Sequence, residues 1–220
     1  MAERRIAAYG GTFDPIHLGH VEVVRAVVRN FDIDQLLIIP AHRPPHKGTR
    51  EIADGYHRFA MAALASIDEP SVIVSTVELE TPDRPYTYET VERLKGIFEQ
   101  GVRLFFVMGA DSFEEINTWR EPRRLISSTN LIVVTRPGHK MAVSHIDERF
   151  RGTIVDLSAR ESGRPTAEEL EGQHIYLTGC VNKELSSTEI RQRVRDGRPI
   201  DAMVPPHVAD YITKYRLYRQ

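Results

Sequence analysis

The chain is poor in the features that mark membrane proteins, disulfide scaffolds and nucleic-acid coats. A single cysteine, Cys180, in 220 residues leaves no internal disulfide to form and no thiolate cluster for zinc. That usage suits a reducing cytoplasm, and the residue reads as packing filler. No stretch is apolar and long enough to span a bilayer. The opening Met-Ala-Glu-Arg-Arg runs straight into a strand-like segment without a signal-peptide pattern. A cytoplasmic location with no membrane partner is therefore expected. The formal charge of −2 lacks the basic surplus of a nonspecific nucleic-acid binder, so no nucleic-acid partner is expected. Internal repeats and low-complexity tracts are missing. So are the Gly-Lys-Ser/Thr of a P-loop and the three spaced glycines of a dinucleotide fingerprint.

What is present is an alternation of buried-strand and helix patterns along one domain, residues 1–220, with a C-terminal helical part from about 183 to 220. Strand candidates are Ile6–Tyr9, Gln35–Pro40, Val72–Val77, Val102–Met108 and Leu131–Thr135, with weaker ones at Ile154–Leu157 and Ile175–Leu177. Helical periodicity falls on Val21–Val28, Tyr56–Ser66, Thr87–Glu99, Ser187–Arg195 and Pro206–Tyr215, and again between Met108 and Leu131. Arg160–Gly172, rich in Glu, Arg, Gly and Pro, reads as a surface loop. Strand–helix alternation of this kind predicts an α/β fold: a doubly wound, mainly parallel, Rossmann-like sheet with helices on both faces. Ligands of such sheets bind beyond the C-terminal strand ends.

The segment Gly10-Gly-Thr-Phe-Asp-Pro-Ile-His-Leu-Gly-His20 follows the first strand. Glycines admit a ligand close to backbone N–H groups, and a helix start attracts anions. His17 and His20 then read as imidazole donors to phosphate. Zinc fits less well, because no carboxylate or third histidine lies at helical spacing; capping or packing is the bland alternative for His20. Asp14 reads as a cap or brace of the turn rather than a ligand contact. Other strand ends carry further candidates. Pro44-Pro45-His46-Lys47 offers a stiff loop ending in a cation, and Gly109-Ala110-Asp111-Ser112 offers a carboxylate for sugar hydroxyls or a helix cap. Arg136-Pro137-Gly138 follows the fifth strand. Ser186-Ser187-Thr188-Glu189-Ile190-Arg191 reads as a helix start, with or without an anion above it. Trp119, the one tryptophan, is either packing or a stacking surface for a flat heterocycle.

Taken in order, these motifs, with Tyr86-Thr87-Tyr88-Glu89-Thr90, resemble those of the bacterial nicotinate-mononucleotide adenylyltransferases. The likeness runs over nearly the whole chain. The first and last motifs are those of the wider nucleotidyltransferase superfamily, and the middle ones are those of the nicotinate branch. Glu89 stands where an aspartate is common, and Val181–Leu185 is atypical.

The resemblance implies transfer of the adenylyl group of ATP to nicotinate mononucleotide, with release of pyrophosphate. Mg2+ is implied as a companion of the triphosphate, with no protein metal site. His17 and His20, with Gly10, Gly11, Thr12, Phe13, Gly109 and Asp111, would hold ATP. Ser187, Thr188 and Arg191 would bind the β- and γ-phosphates. Lys47, Thr87, Trp119 and Arg136 would hold the mononucleotide. Catalytic weight is expected on His17, His20, Lys47 and Arg191. The partners are the two small substrates, with self-association left open. Rivals on the same motifs are another adenylyl or cytidylyl transferase, such as the phosphopantetheine enzyme, and a noncatalytic nucleotide sensor. A class I aminoacyl-tRNA synthetase would need a longer chain.

Overall fold

Seven parallel strands form one sheet in the order β3-β2-β1-β4-β5-β7-β6. The computed structural model describes residues 3–42, 52–81, 85–98, 101–135, 141–179 and 185–219. The strands are β1 (Arg4–Gly11), β2 (Gln35–Pro40), β3 (Val72–Val74), β4 (Val102–Gly109), β5 (Asn130–Val134), β6 (Ile154–Asp156) and β7 (Ile175–Thr178). The helices are α1 (Leu18–Asn30), α2 (Gly55–Ala65), α3 (Thr87–Ile97), α4 (Ala110–Glu114), α5 (Pro122–Ser128), α6 (Glu148–Arg151), α7 (Ser187–Arg195) and α8 (Pro206–Lys214). Parallel neighbours cannot be joined by tight hairpins, so helices supply the crossovers.

Alternation along the strands explains the two layers. Ala7, Leu36, Ile38, Phe105, Val107, Ile132 and Tyr176 face one side, where α1, α2, α7 and α8 bury Val24, Val27, Met61, Ile190, Val208 and Ile212. Ile6, Ala8, Leu37, Ile39, Phe106, Met108 and Val133 face the other, against Val91 and Leu94 of α3 and Leu125 and Ile126 of α5. The central strands are apolar on both faces because both are covered.

The expected doubly wound sheet is present, with local differences. The strand expected over Val72–Val77 stops at Val74. Beyond it Ser75 Oγ accepts from the Val77 amide, and the Thr81 hydroxyl bonds the Val77 carbonyl, so the chain turns away from the edge. The helical stretch before β5 is two short helices joined by a 3-10 turn at Ile116–Thr118. The polar segment Arg160–Gly172 is irregular but anchored. Leu170 is buried, Arg160 pairs with Glu169 at 2.6 Å, and the Tyr176 hydroxyl donates to the Glu169 carbonyl. Among the described residues no helix is long and apolar enough to cross a membrane.

Strand order reverses between β1 and β4. This places the Gly10–His20 turn and the Gly109–Asp111 turn on neighbouring strand ends, where a doubly wound sheet opens its ligand crevice.

Candidate active site

The two histidines form a reciprocal cap at the start of α1. His17 is the N-cap residue, and its Nδ1 accepts from the His20 amide at 3.4 Å. The Nδ1 of His20 accepts in turn from the His17 amide at 3.2 Å. A neutral imidazole that accepts at Nδ1 carries its proton at Nε2. Both rings therefore present an Nε2–H donor on the side away from the helix. The rings stack with centroids 3.7 Å apart, and the Phe13 ring meets His20 edge-on at 5.2 Å.

Burial decides their charge. His17 is 7% exposed, and desolvation lowers its pKa from 6.5 to about 4. Desolvation, followed by the nearby His17, also lowers that of His20 well below the ordinary value. At neutral pH both act as neutral donors. Here the structure departs from the idea of free helix-start amides awaiting phosphate. The imidazoles take the His17 and His20 amides, and the Leu18 amide donates to the Met203 carbonyl at 2.9 Å. That leaves the Gly19 amide and the two Nε2–H groups as the donors this helix start can offer.

Two glycines make the arrangement possible by lacking a Cβ. One added at Gly11 would lie 2.8 Å from the Phe13 ring, and one at Gly19 would lie 3.1 Å from the His17 ring. Phe13 itself takes a left-handed φ of +50° with its ring buried.

Beneath the turn lies a buried polar hub. Asp14 is 1% exposed; its Oδ1 accepts from the Ala53 amide at 3.1 Å and the Tyr218 hydroxyl at 2.6 Å. Arg191 is also buried. Its guanidinium donates to the Asp14 carbonyl at 2.7 Å and to the Thr188 hydroxyl at 3.3 Å, and lies 3.6 Å from Asp14 Oδ2. Arg58, absent from the candidates drawn from sequence, donates to the carbonyls of Thr12 (2.8 Å), Ala41 (2.7 Å) and Ala53 (3.0 Å). It thereby ties the ends of β1 and β2 to the start of α2. Burial lowers the Arg58 pKa, with Asp14 the main opposing influence.

The other candidates fall into three groups. At the α7 start, the Ser187 hydroxyl donates to the Pro15 carbonyl at 3.0 Å, which docks that helix onto the first turn. Thr188 and Arg191 are joined there, and Arg191 has protein partners rather than an open path to solvent. Gly109 and Asp111 are exposed at the end of β4. Gly10, Gly11 and Thr12 are half-buried at the end of β1.

On the acceptor side, Thr87 is the first residue of α3, and Trp119 is half-buried against the same apolar layer as Tyr88. Arg120 lies 6.0 Å from the Tyr86 ring, and Arg124 pairs with Glu92 at 2.6 Å. The Thr87 and Trp119 segments are thus neighbours. Glu89, the departure noted above, reaches back to cap α3, its Oε2 accepting from the Tyr86 amide at 2.8 Å. Lys47 with its Pro44-Pro45-His46 loop, Arg136-Pro137-Gly138, Cys180 and residues 181–184 lie outside the described residues.

The model of the cytidylyltransferase-like family matches residues 8–193. A protein of Thermoanaerobacter sp. (strain X514) named probable nicotinate-nucleotide adenylyltransferase is 37% identical over 218 residues, covering 99% of this chain and 96% of its own. One of the same name from Roseiflexus sp. (strain RS-1) is 36% identical over 220 residues, covering both chains in full. The fold is similar to that of Plasmodium falciparum nicotinic acid mononucleotide adenylyltransferase in structures complexed with APC and with NaAD. Both have a TM-score of 0.68, with 21% and 22% identity over 98% of this chain and 97% of theirs. With a family model over most of its length and full-length relatives above 30% identity, the chain belongs to the cytidylyltransferase-like family and, within it, to the nicotinate-nucleotide adenylyltransferases.

Proposed function

We propose that this chain is an enzyme that transfers the adenylyl group of ATP to nicotinate mononucleotide, giving nicotinate adenine dinucleotide and pyrophosphate. The names of its full-length relatives supply the reaction. The observation that carries the chemistry is the reciprocal His17–His20 cap, which fixes two neutral Nε2–H donors at the β1–β4 switch point.

The 5′-phosphate of the mononucleotide attacks the α-phosphorus. A phosphate oxygen–α-phosphorus bond forms as the bond from the α-phosphorus to the β-phosphate oxygen breaks, and pyrophosphate departs with that electron pair. The attacking phosphate, with a second pKa of about 6, is mostly dianionic at neutral pH and needs no general base. The barrier is the approach of two anions, so alignment and charge stabilisation carry the catalysis. Neutral imidazole donors suit this task because they stabilise developing charge without gaining or losing a proton. Behind the turn, Arg58 and Arg191 add two guanidiniums around the one carboxylate of Asp14.

In this reading His17 and His20 hold the triphosphate, with His20 nearest the α-phosphorus. Gly10, Gly11, Thr12 and Phe13 present backbone to the nucleotide. Gly109 and Asp111 meet its sugar or base, while Ser187 and Thr188 serve the leaving phosphates, with Arg191 acting from behind through Thr188 and Asp14. Lys47 takes the mononucleotide phosphate, Trp119 stacks on the pyridine ring, Thr87 meets its carboxylate, and Arg136 belongs to the same half. Mg2+ enters as part of the ATP substrate, riding on triphosphate oxygens. Among the described residues no group of three or more His, Cys, Asp or Glu side chains stands together to hold it. A cytoplasmic location belongs to the same reading.

Pyrophosphate release with ATP and either nicotinate or nicotinamide mononucleotide tests it. Turnover is expected with the nicotinate form. His20→Ala is expected to lower kcat on the order of 100-fold, the value of one donor aimed at developing charge, with a modest change in ATP affinity. Lack of turnover with either acceptor overturns the reading, and an unchanged kcat removes His20 from the transition state.

A further inference from the structure

The chain beyond α8 folds back toward the nucleotide turn. The Tyr215 amide bonds the Tyr211 carbonyl at 3.0 Å and the Leu217 amide bonds the Ile212 carbonyl at 3.1 Å, closing the helix end. Arg216 and Tyr218 then adopt left-handed φ angles of +53° and +64°. Residues with a side chain hold that conformation only where their surroundings impose it. Leu217 and Tyr218 pack against the apolar layer shared by α1, α2, α7 and α8, and the Tyr218 hydroxyl donates to Asp14 Oδ1 at 2.6 Å, across 204 positions of sequence.

Asp14 needs that donor. It is almost fully buried, yet Oδ1 takes just one backbone amide, that of Ala53. Oδ2 has no hydrogen bond among the described residues and faces Arg191 at 3.6 Å. A buried carboxylate left short of donors relaxes toward whatever it can reach. Asp14 sits between Thr12, whose carbonyl is held by Arg58, and Pro15, whose carbonyl receives the Ser187 hydroxyl. Any shift of Asp14 therefore moves the backbone that leads into His17. The phenol remains a donor throughout the working range, since burial and the Asp14 charge push its titration far above neutral.

We propose that Tyr218 is a positioning residue for adenylyl transfer: its hydroxyl fixes Asp14, and Asp14 fixes the turn that carries the His17–His20 donor pair. The inference rests on the adenylyl-transfer reading of that site. It separates the C-terminal tail from a merely structural role by predicting which kinetic constants change.

Tyr218→Phe keeps the ring and its packing and removes one donor to a charged acceptor. In the full-length enzyme kcat is expected to fall on the order of tenfold, the size of one charge-assisted hydrogen bond. The KM for nicotinate mononucleotide should stay unchanged, because its proposed residues lie on other elements. In NMR spectra the imidazole resonances of His17 and His20 should move in the variant. Asp14→Asn should also lower kcat, and adding Tyr218→Phe to it should lower kcat little further, since both act through one carboxylate. The inference is overturned if Tyr218→Phe keeps wild-type kcat. Fully additive losses in the double variant, or equal losses for both substrates that track a fall in Tm, also overturn it. If wild-type enzyme shows no turnover, the functional reading fails by itself. ATP-induced shifts of the imidazole resonances, compared between wild type and Tyr218→Phe, then decide whether the tyrosine sets the donor pair.

Discussion

Acidification should destabilise the free protein through the donor pair, and His17 allows the size to be worked out. Its pKa is 6.5 in an exposed chain and about 4 in the fold. A group whose folded value is depressed binds fewer protons folded than unfolded, so stability falls as pH drops through the window between the two values. For an imidazole the charged form is the protonated one. The fold is therefore unburdened above about pH 6.5 and carries the whole penalty below about pH 4. With these values the linkage relation gives a loss on the order of 1 kcal/mol by about pH 5.5 and roughly 2–3 kcal/mol by about pH 4.5 from His17 alone. His20, lowered in the same direction, adds to it.

The assay is urea unfolding from pH 7 to about 4.5 for wild type and His17→Asn, beside imidazole titration by NMR. Asparagine is a good N-cap residue whose side-chain oxygen accepts a helix amide, so the variant keeps a cap and loses the titration. Wild type should lose about 2 kcal/mol more than the variant over that range. Parallel curves, or a His17 resonance titrating near 6.5, would refute the desolvated neutral pair. The claim that both rings donate through Nε2–H at working pH would fall with it.

Two further perturbations separate the hub from the rim. Arg58→Met should lower stability by about 3 kcal/mol or more, because it orphans buried carbonyls and leaves Asp14 with one guanidinium fewer nearby; chemical denaturation measures this, and a loss under about 1 kcal/mol would show the carbonyls find other donors. Trp119→Ala should raise the KM for the pyridine mononucleotide and spare that for ATP, a split that steady-state kinetics with each substrate varied in turn will show or deny.

The sheet was legible because its strands are short apolar runs, three of them (β1, β2 and β4) ending in glycine or proline, and such runs are what parallel strands covered on both faces require. Strand order was not. Nothing local says that β4 rather than β3 lies beside β1, since that pairing is decided by which apolar faces meet over long range. Yet it is this pairing that brings Gly109 and Asp111 next to Gly10. The His17–His20 pair was legible as chemistry, and capping stood as the alternative for His20; that His17 caps in return was not legible, because helix starts are ordinarily read from Ser, Thr, Asp and Asn. Asp14 is buried beneath the turn, where its Oδ1 accepts from the Ala53 amide and the Tyr218 hydroxyl. Arg58 left a signal in the sequence. On α2 it falls with Met61, Ala62 and Ala65 at helical spacing, so a charge stands on the buried stripe. Tyr218 left none. Its partner lies 204 residues away, and the tail that delivers it turns through two left-handed residues that carry no glycine to announce them.

These differences follow from how the site is divided. The residues proposed to meet substrate sit mostly at strand ends and helix starts, where local sequence has a recurring form. Residues that hold the turn come from α2, α7 and the C-terminal tail, three segments whose convergence is a product of the tertiary fold. The charged members of the second group, Asp14, Arg58 and Arg191, are buried, so their loss is expected to affect stability and activity together, whereas loss of Trp119 is expected to affect one substrate. That coupling has a practical consequence for interpreting variants. A loss of kcat at Asp14, Arg58 or Arg191 does not by itself place the residue on a phosphate, because each already has a protein partner whose release would displace His17. A variant that keeps the Asp14 contacts and still loses turnover, the outcome expected of His20→Ala, argues for a role at the reacting phosphorus once the lost cap on the His17 amide is allowed for.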